Sequence, residues 1–337
     1  MATPSLPRVR RHMRLALTTL AAALSVAVLA ACASAPTAPA DEQTRVYESE
    51  FGPVELPEKI ERIVSVDFYT PAALVDVGVT PVGVVNSYFT EAAAIPEQYK
   101  SAVTKNGAES IGEYYELNLE AIAKAKPDLI LATSDFLPLD DPLRPALEKM
   151  APILTFEARD GESWRTRATA MAEILDKKDV VQPLIDAYTE RRDGIAEKYA
   201  DILASEALTV FVPVADEWAT YADTHFSTPI LRDLGATFRE QQDDEINEAR
   251  FPNWFSYESL DRLSNADVIL RNPGAPAEAQ AALETNTIWN NLPAVANGMV
   301  VDYIPMSPTG SFGWALENLD SLETMLAEIQ AKVDARG

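Results

Sequence analysis

The sequence predicts an α/β protein of two lobes with mainly parallel sheets, joined by a single long α-helix. Three observations predict it. Both halves alternate strand and helix in the same order, a cassette of helix start and following strand occurs twice, and a helical segment without strands separates the halves. The length of 337 residues agrees with two domains, because one hydrophobic core usually serves about 100 to 200 residues.

The chain begins with a segment that is typical of export. Arginines precede an apolar, alanine-rich run over residues 15–31, and the only cysteine of the chain, Cys32, follows directly. This pattern predicts a lipoprotein signal peptide over 1–31, after which Cys32 is lipidated and 32–53 continue as a flexible tether. An ordinary cleaved signal and an uncleaved membrane anchor are the alternatives, and the apolar run is close to the shortest that spans a bilayer.

The first half alternates strand and helix. A short apolar run over 62–66 predicts a buried parallel strand. Thr70-Pro71 predicts a helix start through a capping side chain and a first-turn proline, and Gly78 allows the left-handed stop before a second strand at 82–85. The first lobe is expected over 54–161.

The second half repeats this order. The strand is expected at 208–212, the helix start at Thr228-Pro229, and the stop at Gly235. Alternating strands and helices predict a parallel sheet covered by helices. Each lobe is therefore expected to be Rossmann-like, the second over 205–337.

The duplicated cassette pairs an acidic helix start with a buried strand. Asn118-Leu119-Glu120 precedes a strand at 127–131, and Ser256-Tyr257-Glu258 precedes a strand at 266–270. Asn and Ser at such positions accept a hydrogen bond from a free amide of the first helical turn. The glutamate two residues later then lies near the positive end of the helix and points outward.

The segment over 162–204 is expected to be helical and to contain the connection between the lobes. Its apolar residues recur three and four apart, which predicts a helix of about 25 residues from near Asp179 to near Leu203. Pro183 fits only in the first turn of such a helix. An ordinary surface helix of the first lobe is the alternative.

The composition restricts the classes of partner. The chain has 52 acidic and 28 basic residues and a net charge of −24, so nucleic acid is an improbable partner. The same negative field weakly favours neutral or cationic ligands. Two histidines and one cysteine in the whole chain argue against a metal site built from His and Cys.

Taken together, the motifs resemble those of the substrate-binding lipoproteins of iron-siderophore and cobalamin ABC importers, which are class III periplasmic binding proteins. The resemblance covers about 54–330, and the order and spacing of the motifs carry it. It implies two lobes on one long helix, an extracytoplasmic and lipid-anchored monomer, and an ABC permease as partner. It also implies a binding protein without enzymatic activity or cofactor, whose ligand is the ferric siderophore itself. The motifs are the strand at 62–66 with 74–84, the two cassettes, and 289–295 with the late strand at 298–303.

In that family a glutamate at the outer tip of each lobe docks onto arginines of the permease. The positions that match are Glu120 and Glu258. Carboxylates held apart by a rigid body can meet guanidinium groups in bidentate fashion. The alternative is that both glutamates only stabilise their helix starts.

Aromatic side chains follow the predicted strands, where open α/β sheets bind ligands. Indole and phenol groups give flat contact area suited to a bulky chelate, although each ring could instead pack into the base of its own loop. An arginine after the strand at 266–270 could direct a positive charge into a cleft or pair with a nearby acid. The predicted ligand-binding residues are Tyr69, Tyr88, Tyr115, Phe136, Trp218, Trp254, Arg271 and Trp314.

Several ligand and function classes stay open. These loops contain no cluster of basic residues, which favours a neutral or cationic hydroxamate-type ferric siderophore over a trianionic catecholate complex. Haem, held through a tyrosine such as Tyr69, Tyr88 or Tyr115, and cobalamin are the rival ligands. An exported hydrolase that uses His225 is the main competing class, although no nucleophile-elbow motif occurs. A structural envelope protein is the third.

Overall fold

The computed structural model describes residues 43–90, 95–158, 163–221, 228–238, 253–304 and 310–336. The predicted signal peptide, Cys32 and His225 lie outside these ranges. Within them, no helix combines the length and the apolar character needed to cross a membrane.

A β-hairpin precedes the first lobe. Strand β1 (Thr44–Ser49) pairs antiparallel with β2 (Gly52–Pro57), and Tyr47, Val54 and Leu56 pack on the core of the first lobe. Residues 44–53 are thus paired strand and turn, not the flexible tether that the sequence predicted. The alternation of apolar and polar residues in β2 explains the difference, because one face of the hairpin is buried.

The strands of the first lobe are β3 (Ile63–Ser65), β4 (Gly83–Val84), β5 (Glu109–Ser110), β6 (Gly112–Glu113), β7 (Glu116–Leu117), β8 (Leu129–Thr133) and β9 (Ile153–Phe156). Its sheet is parallel throughout, with strand order β5-β4-β3-β8-β9, and a small hairpin, β6 with β7, follows β5. Alternate residues face opposite sides of the sheet: Val64 and Ile130 belong to one apolar cluster, and Ile63 and Leu129 to another. Both faces are therefore covered, as parallel sheets require.

The helices of this lobe are α1 (Thr70–Asp76), α2 (Glu97–Thr104), α3 (Leu119–Ala125), α4 (Arg144–Leu147) and α5 (Ser163–Ile174), with a 3-10 turn at Asn86–Tyr88. The start of α1 differs from the prediction, because the side chain of Thr70 does not cap it. The Asp67 carboxylate instead accepts the amides of Tyr69 and Thr70, both at 2.7 Å. Gly78 has φ +73°, as predicted for the stop.

The strands of the second lobe are β10 (Ala207–Pro213), β11 (Glu217–Thr220), β12 (Thr237–Phe238), β13 (Asn253–Ser256), β14 (Val268–Arg271) and β15 (Val300–Asp302). Its sheet is mixed, because β12, β10, β14 and β15 are parallel, and β11 and β13 extend it antiparallel. Its helices are Pro229–Asp233, the 3-10 helix Tyr257–Leu263, Ala277–Thr285, Thr287–Asn290, Pro293–Ala296 and the C-terminal helix Phe312–Arg336.

The two lobes share one internal plan, which confirms the duplication seen in the sequence. The aspartate of each cassette occupies the same place: Asp128 accepts the backbone amide of Arg62 at 2.9 Å, and Asp267 accepts that of Ala207 at 3.0 Å. Each thereby joins the start of its strand to the start of the neighbouring parallel strand. The repeated Asp therefore fixes the register between these two parallel strands, which explains why it recurs in both cassettes.

The predicted connecting helix is divided in two. Helix α6 (Lys178–Lys198) ends at Tyr199, whose φ of −112° is not helical, and α7 (Ala200–Ser205) follows. Pro183 is the sixth residue of α6 and so lies beyond the first turn. The predicted apolar stripe is confirmed, since Val181, Tyr188 and Ile195 are buried in the main core.

The start of the C-terminal helix is docked on the first lobe. The Gly313 amide donates to Asp76 at 3.1 Å, and the Tyr99 hydroxyl lies 2.8 Å from that of Ser311. Trp314 stacks on Tyr99 with ring centroids 5.6 Å apart. Burial raises the pKa of Asp76. These contacts form a joint between the lobes in addition to the chain connection through α6.

We expect Gly313→Ala to loosen this joint. A Cβ there would lie 2.5 Å from the Tyr99 hydroxyl and 2.8 Å from an Asp76 carboxylate oxygen, so the free energy of unfolding should fall by about 1–3 kcal/mol. Gly194→Ala in α6 is the control, because nothing lies within 4 Å and alanine should add about 0.5–1 kcal/mol there. Urea unfolding measures both; equal stability of Gly313→Ala and wild type would contradict the tight joint.

Candidate functional site

The loops at the carboxyl ends of the first-lobe strands converge at one edge of the sheet. Residues 66–69 follow β3, the 3-10 turn follows β4, the β6–β7 hairpin follows β5, and residues 134–137 follow β8. Parallel strands bring these four loops together, which is the place where α/β sheets bind ligands.

An aromatic cluster covers this edge. Phe68 is its centre, with ring centroids 4.3 Å from Tyr69, 4.8 Å from Phe136 and 6.2 Å from Tyr114. Tyr114 also contacts Phe136 at 4.8 Å and Tyr115 at 4.9 Å. Tyr115 is 72% exposed, Tyr114 is 36% exposed, and Phe68 and Phe136 are half-buried. The cluster therefore presents a broad apolar surface with phenol groups at its margin.

A buried polar layer supports the cluster. Arg167 on α5 is 1% exposed and donates to the Glu157 carbonyl at 2.6 Å and to the Ser163 hydroxyl at 3.1 Å. Its guanidinium carbon lies 5.4 Å from the centre of the Tyr69 ring, a cation–π contact. Burial lowers the pKa of Arg167, and the nearby Tyr69, Asp67 and Asp135 oppose that shift.

Asp67 is the buried acid of this layer. Burial raises its pKa to about 7, while the amides of Thr70 and Tyr69 act in the opposite direction. Burial likewise raises the pKa of the Tyr69 phenol well above its usual value. Among the described residues, this layer places the Arg167 guanidinium near the acidic side chains of Asp67 and Asp135, beneath the aromatic surface.

The corresponding edge of the second lobe carries an ion pair. Arg271 ends β14 and its guanidinium nitrogen lies 2.7 Å from an Asp302 carboxylate oxygen at the end of β15. The side chains are 35% and 54% exposed. Of the two roles predicted for Arg271, the structure supports pairing with a nearby acid. The carboxylate of Asp302 neutralises its positive charge at this edge of the sheet.

The structure distributes the predicted aromatic residues between surface and core. Tyr115 and Trp254 are exposed, at 72% and 50%, and Phe136 is half-buried. The other four rings are buried and are not available for direct contact in this arrangement, which corrects the expectation that they line an open cleft. They are Tyr69, Tyr88, Trp218 and Trp314.

Each buried ring has a structural partner or neighbour that explains its position. The Tyr88 hydroxyl donates to the Phe68 carbonyl at 3.0 Å, so it holds the loop beneath the aromatic cluster. Trp218 lies in β11 and donates to the Ser256 carbonyl at 3.1 Å. Trp314 lies in the joint between the lobes. Of the three tyrosines considered as ligands of haem iron, Tyr115 alone has an exposed phenol.

Both predicted tip glutamates are exposed at capped helix starts. Ala121 donates its amide to the Asn118 side chain at 3.0 Å, and Glu258 donates its amide to the Ser256 hydroxyl at 3.3 Å. The predicted caps are thus confirmed, although the second cassette forms a 3-10 helix. Glu120 and Glu258 each precede a parallel strand by one helix, so each lies toward the carboxyl edge of its own sheet.

Sequence reasoning missed Phe68 and Arg167. Phe68 directly precedes Tyr69, a predicted ligand-binding residue, in the loop after the first strand. Its place in that loop was the feature of the sequence that could have identified it. Arg167 lay in a helical segment with no local motif, so only the packing of α5 identifies it. In the described ranges, no group of three or more His, Cys, Asp and Glu side chains is arranged to hold a metal ion.

Comparisons with known proteins agree with this architecture. The probable siderophore-binding lipoprotein YfiY of Bacillus subtilis (strain 168) is 26% identical over 316 residues, which span 89% of this chain and 94% of that protein. The Fe(3+)-citrate-binding protein YfmC of the same strain is 25% identical over 265 residues, spanning 77% and 78%.

Among solved structures, the siderophore periplasmic binding protein from the fuscachelin gene cluster of Thermobifida fusca is 28% identical. It superposes with a TM-score of 0.61, over 81% of this chain and 98% of that chain. The sequence matches the model of the periplasmic binding protein family over residues 64–305. The predicted two-lobed α/β class and the resemblance are confirmed, and the chain belongs to the periplasmic binding protein family, whose members bind ligands and are not enzymes.

Proposed function

We propose that this protein captures a ferric siderophore between its lobes and delivers it to an ABC permease, anchored outside the cytoplasm through a lipid on Cys32. The exposed aromatic cluster around Phe68 carries the proposal, because a flat, apolar surface with phenol margins suits the organic skin of an iron chelate. The relatives named for siderophore and ferric-citrate binding support the same ligand class.

The charges at the site favour a neutral or cationic chelate of the hydroxamate type. Arg271 is paired with Asp302, and Arg167 is buried beneath the rings near Asp67 and Asp135. The charges of these two arginines are therefore not available to a ligand. A trianionic complex would be repelled by the net negative charge of the protein, and neither arginine would offset that repulsion.

We expect a ferric hydroxamate such as ferrioxamine B to bind at least about 100-fold more tightly than a ferric catecholate of charge −3. Quenching of tryptophan emission, with Trp254 as an exposed reporter, measures both affinities. Because screening weakens this discrimination, the ratio should shrink in high salt. Tight catecholate binding without hydroxamate binding would overturn the preference. Haem and cobalamin belong in the same panel, and selective binding of either would replace the siderophore.

Glu120 and Glu258 are proposed to dock on arginines of the permease. The double variant Glu120→Ala/Glu258→Ala should retain ligand affinity and lose at least about 90% of uptake in cells, since only the bidentate pairing with the permease is removed. Glu278→Ala is the matched control, because Glu278 is also an exposed first-turn glutamate. Full uptake by the double variant would contradict the docking role.

A further inference from the structure

A cavity of about 240 Å³ lies in the second lobe, at the carboxyl ends of β14 and β15. Pro273 and Tyr303, from the loops after these strands, line one side. Asn318, Leu322 and Met325 line the other, and they form one face of the C-terminal helix because they recur at spacings of four and three. The cavity lies beside the Arg271–Asp302 pair, since Asp302 also lines it.

Asn318 gives this cavity a specific chemistry. Its side chain is 3% exposed, and within the described part of the chain neither its amide nitrogen nor its amide oxygen has a hydrogen-bond partner. A buried amide left without partners costs free energy, so such groups are normally paired. Asn318 lines the cavity. Its two amide atoms are closed to water in this arrangement, so a molecule in the cavity satisfies them once the side chain turns toward it.

The complement of a primary amide is a group with a donor and an acceptor side by side, such as a second amide. The rest of the wall is largely apolar, including Ile230, Leu322 and Met325, and the nearby carboxylate of Asp302 is already paired with Arg271. An uncharged group is therefore favoured over an ion. The volume is many times the roughly 10–15 Å³ that holds a single water, so the cavity has room for one arm of a ligand.

We propose that this cavity is a subsite for an uncharged amide-bearing arm of the bound chelate, with Asn318 as its hydrogen-bonding anchor. The identity of the whole ligand rests on the proposed function, but the chemistry of the cavity does not. The subsite would select among siderophores by the organic arm that extends from the iron centre, while the aromatic cluster contacts the body of the complex.

The first test uses a probe that needs no iron. Caprolactam, a small cyclic amide, should bind wild type and shift the side-chain NH₂ resonance of Asn318 in ¹⁵N-correlated NMR spectra. N-methylcaprolactam, which lacks the donor, should bind at least tenfold more weakly. Asn318→Asp, which keeps the shape but replaces the neutral amide, and Asn318→Leu should each weaken caprolactam binding at least tenfold. Gln330→Leu removes an amide from the same helix outside the cavity and should change nothing.

The second test links the cavity to the chelate. Ferrioxamine B, which carries amide groups between its hydroxamates, should lose at least tenfold in affinity in Asn318→Asp and none in Gln330→Leu. A cavity that holds only water would show no caprolactam binding, which overturns the proposal. Unchanged ferrioxamine affinity in a folded Asn318→Asp protein would also overturn it. If wild type binds no ferric chelate at all, the proposed function fails and the chelate-arm assignment fails with it, while the lactam titration still reports whether the cavity takes an amide.

Discussion

Arg167→Met is expected to lower the free energy of unfolding by about 3–5 kcal/mol, because it removes the cation from a buried group of carboxylates. Arg167 is 1% exposed, and Asp67 and Asp135 act on its charge. Methionine fills much of the volume of the arginine stem, so the loss reports mainly the missing charge and hydrogen bonds. Urea unfolding followed by circular dichroism measures the change.

A double-mutant cycle tests the origin of this effect. Asp67→Asn retains an oxygen that can accept the amides of Tyr69 and Thr70, so combining it with Arg167→Met should cost less than the sum of the single changes. Arg191→Met is the control: that side chain is 40% exposed in its ion pairs and should contribute less than about 1 kcal/mol. If the effects of the two changes simply add, the charges of Arg167 and Asp67 are not coupled.

Phe136→Ala is expected to weaken binding of the ferric siderophore by about 100-fold, since central aromatic contacts dominate binding energies. Phe136 contacts Phe68 and Tyr114, both at 4.8 Å, so its loss also opens the surface formed by the other rings. Tyr115→Ala should weaken binding by about tenfold. Its 72% exposed side chain should leave the stability within about 0.5 kcal/mol of wild type.

An exposed apolar residue away from the aromatic cluster separates binding from general loss of surface area. Val180 is 46% exposed and lies in the first turn of α6, just after the end of α5 that is remote from Arg167. Val180→Ala should leave affinity unchanged. Equal losses for Val180→Ala and Tyr115→Ala would show that the aromatic cluster does not contact the ligand.

Local signals in the chain were sufficient for much of the fold. The helix stop at Gly78 needs a left-handed backbone that glycine supplies without strain, and the Asn118 cap depends only on a side chain three residues from its donor. The two cassettes revealed the duplication because each repeats a complete helix start and strand. Features of this kind are set within a few residues, and a single sequence displays them.

The burial of individual aromatic rings was not predictable in this way. The sequence predicts Trp218 in a loop after a strand, but β11 pairs with β10 and β13, and Trp218 is buried in the core. The sequence predicts Trp314 in the cleft, but the C-terminal helix begins there and docks on the first lobe. Both positions depend on partners far along the chain.

The family, the two α/β lobes and the exposed, capped helix starts that carry Glu120 and Glu258 follow from the sequence alone, because local hydrogen bonds and repeated patterns specify them. Long-range packing determines which rings reach the surface, where Arg167 lies beneath them, and that Asn318, whose amide has no partner among the described residues, lines a cavity. These properties arise where elements distant in the chain pack together, and packing fixes burial and charge environment residue by residue.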